Sequence, residues 1–463
     1  MLPFLIAYCL LLLSVGALAS RSVRRADDFF VAARNLPPFL LFSTFLAANL
    51  GAGSTVGAAE FGYSSGLPAW WWVGSAGIGS LALALFVGPR IHRVASALGL
   101  YTVGDYLEAR YGRATRIVTA AILLCGAPAI LAGQIIAVGL VLRVSAGLPE
   151  VWGSVAGGSI ATLYFAMGGL RAAAWVNAVQ VAVKVAGFSI AVPWMVRAGG
   201  GWQAVAAAAP SETALRIGGA GAWETTQLLL MLAPAFVVSP GLVQKLFGAR
   251  DEAGVRTGVG LQGLTLLGYA FLPVLLGMAA RVHFPDLQEP GMALIKLFDE
   301  AAPAWLGGLM LAAIFSAEIS SADAVLFMIT TSAVRDVIEP LKGGQVADSS
   351  LLALARRAAV AAGAAGVLLA LRFRSVLASL SFFYSLLTVT LFVPLVAGLF
   401  WKRPGQPTAL AAIGASLVAA GVATALPEAP SAWIGPVPAG ICAGAAVYLG
   451  RAMLEIRPSS YTG

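Results

Sequence analysis

Residues 45–57 read Phe45-Leu-Ala-Ala-Asn-Leu-Gly-Ala-Gly-Ser-Thr-Val-Gly57, and this stretch decides how the whole chain is interpreted. It continues an apolar run that is long enough to cross a lipid bilayer as a helix. Asn49, two glycines and a Ser-Thr pair interrupt the run near its middle. Unwound backbone is costly in hydrocarbon unless it lines a cavity inside the protein. The stretch therefore indicates a broken helix beside a binding site.

A second apolar run is interrupted in a similar way. It reads Leu232-Ala-Pro-Ala-Phe-Val-Val-Ser-Pro-Gly241, where Pro240 lacks a backbone N–H and Gly241 weakens the helix further. Two breaks that lie five spans apart suggest two five-helix halves. This is the pattern of transporters with inverted repeats, which bind substrate and ions at the breaks. The alternative is a pair of ordinary helices, one with a small-residue packing face and one with a proline kink.

The composition excludes several classes of protein. Of the 463 residues, 59% are hydrophobic and only 11% are charged, and the mean hydropathy is +0.87. Soluble domains carry roughly 25% charged residues, so a soluble enzyme is excluded. The net charge of +8 is scattered between apolar runs, which argues against a nucleic-acid partner. Two histidines and three isolated cysteines supply no metal cage or catalytic triad, and no enzyme activity is expected.

Hydropathy predicts an all-α polytopic membrane protein with about 13 transmembrane helices. The predicted spans lie near 3–19, 37–57, 68–88, 115–141, 150–169, 173–196, 224–246, 257–280, 304–334, 352–371, 375–400, 406–425 and 432–450. We expect one membrane transporter domain over 1–463. Its parts are a leader helix at 3–19, a first five-helix repeat at 37–196, a second at 224–400, and two trailing helices at 406–450.

The basic residues predict the orientation. With the amino terminus outside, roughly 21 of the 29 Lys and Arg residues fall on the cytoplasmic side, as the positive-inside rule requires. The carboxyl terminus is then cytoplasmic, and we expect a plasma (inner) membrane location. Residues 3–19 also resemble a cleaved signal peptide. Arg21, Arg24 and Arg25 follow the apolar run rather than precede it, which favours a retained helix.

A third polar feature lies in the ninth predicted span, Ala317-Glu-Ile-Ser-Ser-Ala-Asp323. Two adjacent hydroxyls at mid-helix, facing a broken helix with free carbonyls, match the oxygen ligands that a hard monovalent cation prefers. Serines in membrane helices also bond back to carbonyls one turn earlier, which is the alternative for Ser320 and Ser321.

Six motifs together resemble the sodium:solute symporter family, which includes proline, sugar, sialic-acid and pantothenate carriers. The matching stretches are 24–35, 102–112, 168–180, 239–245, 320–336 and 394–403, and they follow the family's order and spacing. The resemblance covers roughly residues 1–405. It implies a LeuT-type fold with ten core helices in two inverted halves, broken in the first and sixth core helices.

The resemblance also implies one sodium site, with sodium as the coupling ion rather than a prosthetic group. Its ligands are the carbonyls of three residues and the hydroxyls of two: Ala47, Leu50, Ala317, Ser320 and Ser321. Some members have a second site with an aspartate in the fifth core helix. Asn177 stands at that position here, so the second site is not expected.

The residues that line the solute cavity differ more between family members than the sodium ligands do, so the resemblance specifies them less closely. They correspond here to Asn49, Ser54, Trp72, Val73, Ala76 and Ser239. Val73 replaces a glutamate of the sugar carriers, which disfavours hexose transport. The resulting expectation is sodium-coupled symport of a small polar organic solute by alternating access. The solute, the number of sodium ions and the oligomeric state stay open.

Charged residues inside the predicted spans raise two alternatives. Lys184 lies seven residues after Asn177, on about the same helix face, and can reach Glu318 or Asp323. Such groups in a membrane are expensive and are either paired or functional. Lys184 forms a structural ion pair, or its ammonium approaches the cation site and the transporter is proton-coupled or uncoupled. A further alternative is a membrane sensor or scaffold that does not transport.

Overall fold

The structure is a computed structural model, and almost all of the residues that it describes are helical. It describes residues 6–8, 10–12, 14, 15, 18, 26–219, 221–342, 347–373, 375–402, 404–426 and 435–454. Within these ranges the only β-type pairing is a single bridge between Leu36 and Ala249. The expectation of an all-α membrane protein therefore agrees with the structure. Eight of the 17 residues of the predicted leader helix at 3–19 lie outside the described residues.

Within the described residues, twenty helices, numbered in chain order, carry the fold. They are α1 (Ala26–Val31), α2 (Pro38–Asn49), α3 (Val56–Ser65), α4 (Trp70–Ala82), α5 (Gly88–Leu98), α6 (Val103–Tyr111), α7 (Arg113–Ala146), α8 (Glu150–Ala198), α9 (Gly201–Ala207), α10 (Ala222–Val238), α11 (Pro240–Leu246), α12 (Glu252–Tyr269), α13 (Phe271–His283), α14 (Ala293–Lys296), α15 (Ala304–Ser332), α16 (Glu339–Leu341), α17 (Asp348–Ala370), α18 (Val376–Phe400), α19 (Gln406–Ala425) and α20 (Pro436–Leu454). Short π-helical turns join α4 to α5 and α15 to α16.

The described residues contain 10 helices long and apolar enough to cross a membrane, or up to 11 if a bent pair counts as one span. The predicted number of about 13 is not confirmed. One difference is the leader helix. The other is the predicted span 150–169 in the first part of α8, because only Ala173–Ala198 of that helix is counted as a span.

Helix α8 is not straight. Arg143 lies 3.8 Å from Glu150 and 3.7 Å from Glu289, and a Cβ atom at Gly199 would lie 3.5 Å from His283 Nε2, so both ends of α8 lie on the same side of the bundle and the chain reverses between them.

The first predicted break is pronounced. Helices α2 and α3 meet at 75°, with residues 50–55 between them in a non-helical path that includes one 3-10 turn. Gly51 permits this path, because a Cβ atom there would lie 2.1 Å from the Ser321 hydroxyl oxygen. The second break is smaller: Ser239 alone leaves helical geometry, and Pro240 starts α11 at the position where its missing N–H is not needed.

Helix α15 is the centre of the bundle. Its most apolar window is 94% buried, whereas the corresponding window of Gln406–Ala425 is only 33% buried. Helix α15 packs against α2, α7 and α8, while α19 and α20 pack mainly on each other. The broken helix α2–α3 and the hydroxyls of α15 therefore meet in the most enclosed part of the molecule.

Helices α3 and α13 approach each other closely through glycines. A Cβ atom at Gly277 would lie 2.1 Å from the carbonyl oxygen of Ala59, and one at Gly62 would meet the backbone of Val274 at 2.6 Å. Membrane helices associate largely through such packing, because lipid offers no hydrophobic gain for apolar contacts. This contact fixes α3, the second half of the broken helix.

We predict that Gly277→Ala destabilises the protein, because the added methyl group meets backbone that cannot move aside. Overpacking of this kind costs about 1–3 kcal/mol. The melting temperature of the purified protein in detergent should fall. Gly268→Ala is the matched control, since nothing lies within 4 Å of a Cβ atom there. Equal melting temperatures for the two variants would contradict the proposed contact.

Candidate ion and solute site

The unwound segment leaves backbone carbonyls that point toward α15. Ser320 donates a hydrogen bond to the carbonyl oxygen of Ala47 at 2.9 Å, and its hydroxyl oxygen also lies 3.0 Å from the carbonyl oxygen of Ala317. The Ser321 hydroxyl lies 3.0 Å from the carbonyl oxygen of Ala48 and 3.3 Å from that of Ala47. The structure thus brings four of the five predicted cation ligands together in one buried place: Ala47, Ala317, Ser320 and Ser321. Ala48, which was not predicted as a ligand, lies beside them.

Lys184 reaches the same place from α8. Its Nζ lies 3.1 Å from the carbonyl oxygen of Leu50, 3.4 Å from that of Ala47 and 2.5 Å from the hydroxyl oxygen of Ser320. The side chain is fully buried. An ammonium group has three hydrogens, and these three oxygens accept them. The predicted cation position is therefore occupied by the side-chain nitrogen of Lys184, a group of the protein itself.

Two carboxylates lie near, but neither is hydrogen-bonded to Lys184. Glu318 interacts with Lys184 electrostatically, and its Oε1 accepts a hydrogen bond from the Thr55 hydroxyl at 2.7 Å. Asp323 interacts instead with Lys245. Both carboxylate side chains are buried. Of the two partners that the sequence allows for Lys184, the structure favours Glu318.

Lys245 is a functional candidate that the sequence analysis did not single out. Its Nζ donates to the carbonyl oxygen of Thr44 at 3.2 Å, and Asn177 donates to the Thr44 hydroxyl at 2.9 Å. A lysine in the last turn of a predicted span is the signal that points to it. Thr44 lies one turn before Ala47, so Lys245, Asp323 and Asn177 form a second polar layer next to the cation position.

A narrow cavity of two lobes lies beside the unwound segment. The lobes have volumes of about 40 and 50 Å³, room for a few water molecules, and share Asn49, Phe236 and Tyr384 as walls. Together they are lined by all six predicted solute residues: Asn49, Ser54, Trp72, Val73, Ala76 and Ser239. No acidic or basic side chain lines either lobe within the described part of the chain.

Two amide side chains give the cavity its polar character. The Nδ2 of Asn49 is buried and has no hydrogen-bond partner within the described ranges, so it is a free donor at the cavity wall. Gln134 of α7 also lines the cavity, and its Oε1 accepts the backbone N–H of Ala52 at 2.8 Å. The sequence analysis missed Gln134. The signal was a single glutamine in the apolar span 115–141.

A charged network joins the elements on the predicted cytoplasmic side. Arg116 forms salt bridges with Asp105 at 2.7 Å and with Asp336 at 3.1 Å. The Tyr101 hydroxyl donates to Asp27 at 2.6 Å, and the Arg335 guanidinium lies 3.9 Å from the Tyr101 ring centroid. Burial, with the bond to Asp27, raises the pKa of Tyr101, so its hydroxyl remains a donor at neutral pH. The network ties α1, α6 and α7 to the end of α15.

We predict that Gln134→Leu destabilises the unwound segment, because the buried N–H of Ala52 loses its acceptor. An unsatisfied buried donor costs about 1–3 kcal/mol. The melting temperature should fall accordingly. Gln262→Leu is the control, since the Gln262 amide is buried and has no partner in the described structure, so leucine removes no hydrogen bond. An equally large fall in the melting temperature of the Gln262→Leu variant would refute the role of Gln134.

Comparison with known proteins gives a consistent picture. The sequence profile of the sodium:solute symporter family matches residues 29–415. The chain is similar to the human sodium/iodide cotransporter, with 25% identity over 72% of this chain and 55% of that protein's length. It is 25% identical to the sodium/pantothenate symporter of Escherichia coli (strain K12), over 88% of this chain and 87% of that one. A solved Na+-coupled sialic acid symporter has the same fold, with a TM-score of 0.85, 19% identity, and coverage of 98% and 97%.

Proposed function

The chain belongs to the sodium:solute symporter family, and from this premise we propose that it moves a small polar organic solute across the membrane by alternating access. The observation that carries the proposal is the cavity between the unwound segment of α2–α3 and α15, with a cation position directly beside it. Members of the family are transporters, not enzymes. Transport moves the solute from one side of the membrane to the other, and no covalent bond changes.

The inferred transport cycle uses the two five-helix repeats at 37–196 and 224–400. Their relative rocking exposes the cavity first to one side and then to the other, while the leader helix at 3–19 and the trailing helices at 406–450 stay outside the core. We place the amino terminus outside, the carboxyl terminus in the cytoplasm, and the protein in the plasma (inner) membrane. The charged network around Arg116 supports a state that is closed toward the cytoplasm.

The cavity favours a solute without net charge. Its lining offers the Asn49 amide as a free donor, Trp72 and Tyr384 as aromatic walls, and no charged side chain in the described ranges. A charged solute would leave its charge unpaired in a buried site, which is strongly unfavourable. The named solutes of the relatives differ from one another, so they do not identify the solute of this chain.

Sodium is the first candidate for the coupling ion. The relatives are named as sodium cotransporters, and the oxygens of Ala47, Leu50 and Ser320 are a suitable part of a sodium shell. Sodium that binds outside and dissociates inside couples its own gradient to solute uptake, because it stabilises the solute-binding arrangement. In this case the Lys184 ammonium must move away from the oxygens of Ala47, Leu50 and Ser320, the cage of this site, before sodium enters.

The second candidate is a transporter that is proton-coupled or uncoupled, and the position of Lys184 favours it. Its Nζ already occupies the point where three of the cage oxygens converge. Two positive charges cannot share one cage of this size, because their repulsion in a buried site is large. An ammonium fixed to the protein would replace the sodium ion in every cycle.

We predict that reconstituted protein takes up at least one uncharged polar solute from a panel that also contains carboxylates, sugars and cationic amines. Asn49→Leu should lower this uptake at least tenfold, because the solute loses its donor. Thr265→Val serves as the control, since Thr265 is exposed and bonds only within its own helix. If no panel member is transported, the sensor or scaffold alternative gains support. If only charged solutes are transported, the inference from the cavity lining is wrong.

A sodium titration separates the two candidates for the coupling ion. The melting temperature of the purified protein is measured in sodium chloride and in choline chloride. If Lys184 replaces sodium, wild type shows no sodium-dependent shift, and Lys184→Ala gains one. Ser320→Ala placed in the Lys184→Ala background should remove that gain. A sodium-dependent shift in wild type that Lys184→Ala leaves unchanged would instead support sodium coupling with Lys184 outside the cage.

A further inference from the structure

We propose that a phospholipid with an amine in its headgroup, of the phosphatidylethanolamine type, binds in a groove between the start of α7 and the turn that joins α15 to α16. This inner groove has a volume of about 1060 Å³ and lies on the predicted cytoplasmic side. It shares no lining residue with the cavity beside the unwound segment. It is thus a separate ligand site, and it does not rest on the proposed transport function.

The lining of the inner groove is amphipathic. Four carboxyl groups and three guanidinium groups line it, and they come from α6, the start of α7 and the segment after α15. The same groove has apolar walls, formed by Leu98, Ile117, Ala121, Leu124 and Leu341. A site for a water-soluble ion would not need these walls. A lipid has both a charged headgroup and apolar chains, so it fits both parts of the lining.

The apolar part of the lining follows α7 into the membrane. Arg113 is the first residue of the span Arg113–Ala146, and Ile117 and Ala121 follow it at intervals of four residues, on the same helix face. All three side chains are exposed, Ile117 to 52%. At 1.5 Å per residue, Ala121 lies about 12 Å along the helix from Arg113. An acyl chain on this face covers apolar surface while its headgroup stays beside Arg113.

Arg113 has the chemistry to bind the lipid phosphate. It lines the inner groove, its side chain is exposed, and it forms no ion pair or side-chain hydrogen bond with another described residue. A guanidinium can donate two parallel hydrogen bonds to one phosphate group. Its apolar stem can lie along lipid chains while the charged end stays at the membrane surface. Arg113 is therefore the phosphate-binding residue of the groove.

The carboxyl groups of the groove can accept an ammonium. A single guanidinium, that of Arg116, forms salt bridges with three of them: Asp105, Glu108 and Asp336. The fourth, Glu339, has Arg335 as its partner. Glu108 is the most accessible of the three around Arg116, with 36% of its side chain exposed. An ammonium beside Glu108 gains an attractive partner, whereas a headgroup with negative charge alone is repelled there.

The inner groove borders the charged network described above. Tyr101 and Arg335 belong to both, and the Arg335 guanidinium lies 3.9 Å from the Tyr101 ring centroid. A lipid in the groove contacts α6, α7 and the segment after α15 at once. A ligand that binds only the folded protein stabilises it by mass action, so the bound lipid should raise the melting temperature.

Native mass spectrometry of the full-length protein in detergent measures lipid binding directly. The probes are dioleoylphosphatidylethanolamine, dioleoylphosphatidylglycerol and phosphoethanolamine, which is the headgroup without chains. The phosphatidylethanolamine should bind most tightly, because the phosphatidylglycerol lacks the ammonium and phosphoethanolamine lacks the acyl chains. It should also raise the melting temperature of the wild type.

Four variants locate the site. Arg113→Gln should weaken the binding of both phospholipids about tenfold, because a hydrogen bond to a charged group is lost. Arg250→Gln is the matched control, since Arg250 is exposed on the same predicted side and does not line the groove. Ala121→Trp should fill the apolar part and weaken both phospholipids. Val418→Trp, on an exposed position of α19, should not.

The acidic part of the groove has its own test. Glu108→Gln should bring the affinities for the two phospholipids closer together, because the ammonium loses its acceptor and the phosphatidylglycerol loses a repulsive charge. A phosphatidylglycerol that binds as tightly as the phosphatidylethanolamine in the wild type overturns the proposal. Equal binding by wild type and Arg113→Gln, or phosphoethanolamine binding as tight as that of the whole lipid, also overturns it. The assay contains no transport solute, so its outcome is independent of whether the chain transports.

Discussion

The fold depends on one constraint, which is that backbone carbonyls without a helical partner must be satisfied inside a bilayer. The chain leaves the helix after Asn49. Lys184 from α8 meets the carbonyl oxygen of Leu50, and Ser320 and Ser321 from α15 meet the carbonyl oxygens of Ala47 and Ala48 in the last turn of α2. Without these donors the break would leave several groups unpaired, each costing several kcal/mol. The break and its partners therefore exist only together, and they require α15 to be the central helix.

The same requirement explains why the inner part of the molecule is polar in a chain that is mostly apolar. Gly51 allows α15 to approach, Gln134 satisfies the N–H of Ala52, and Trp72 donates to the carbonyl oxygen of Gly53 at 2.8 Å. Each of these contacts comes from a different helix. The unwound segment is thus held by side chains from α4, α7, α8 and α15. A movement of any of these helices therefore changes the shape of the cavity that the segment lines.

The sequence predicted those parts of the site that depend on short sequence patterns. Two glycines and a Ser-Thr pair in an apolar run indicated the first break, and adjacent serines in the ninth predicted span indicated its partner. The second break was overestimated, because proline at the start of α11 fits a nearly continuous helix. The contacts at the two ends of α8 agree with separate spans at 150–169 and 173–196, because Glu150 and Gly199 both lie near residues 283–289.

Long side chains set the limit of what the sequence reveals. The position of Lys184 on its helix face was clear, but a four-carbon chain reaches a carboxylate or a carbonyl cage equally well, and only the packing of α2, α8 and α15 decides between them. Here the decision has a chemical reason. The carbonyl oxygens of Leu50 and Ala47, at the break in the helix, lie 3.1 and 3.4 Å from the Lys184 Nζ, whereas Glu318 Oε1 accepts a hydrogen bond from the Thr55 hydroxyl. The Lys184 nitrogen therefore meets carbonyls that the break in the helix exposes, while Glu318 faces the Thr55 hydroxyl instead.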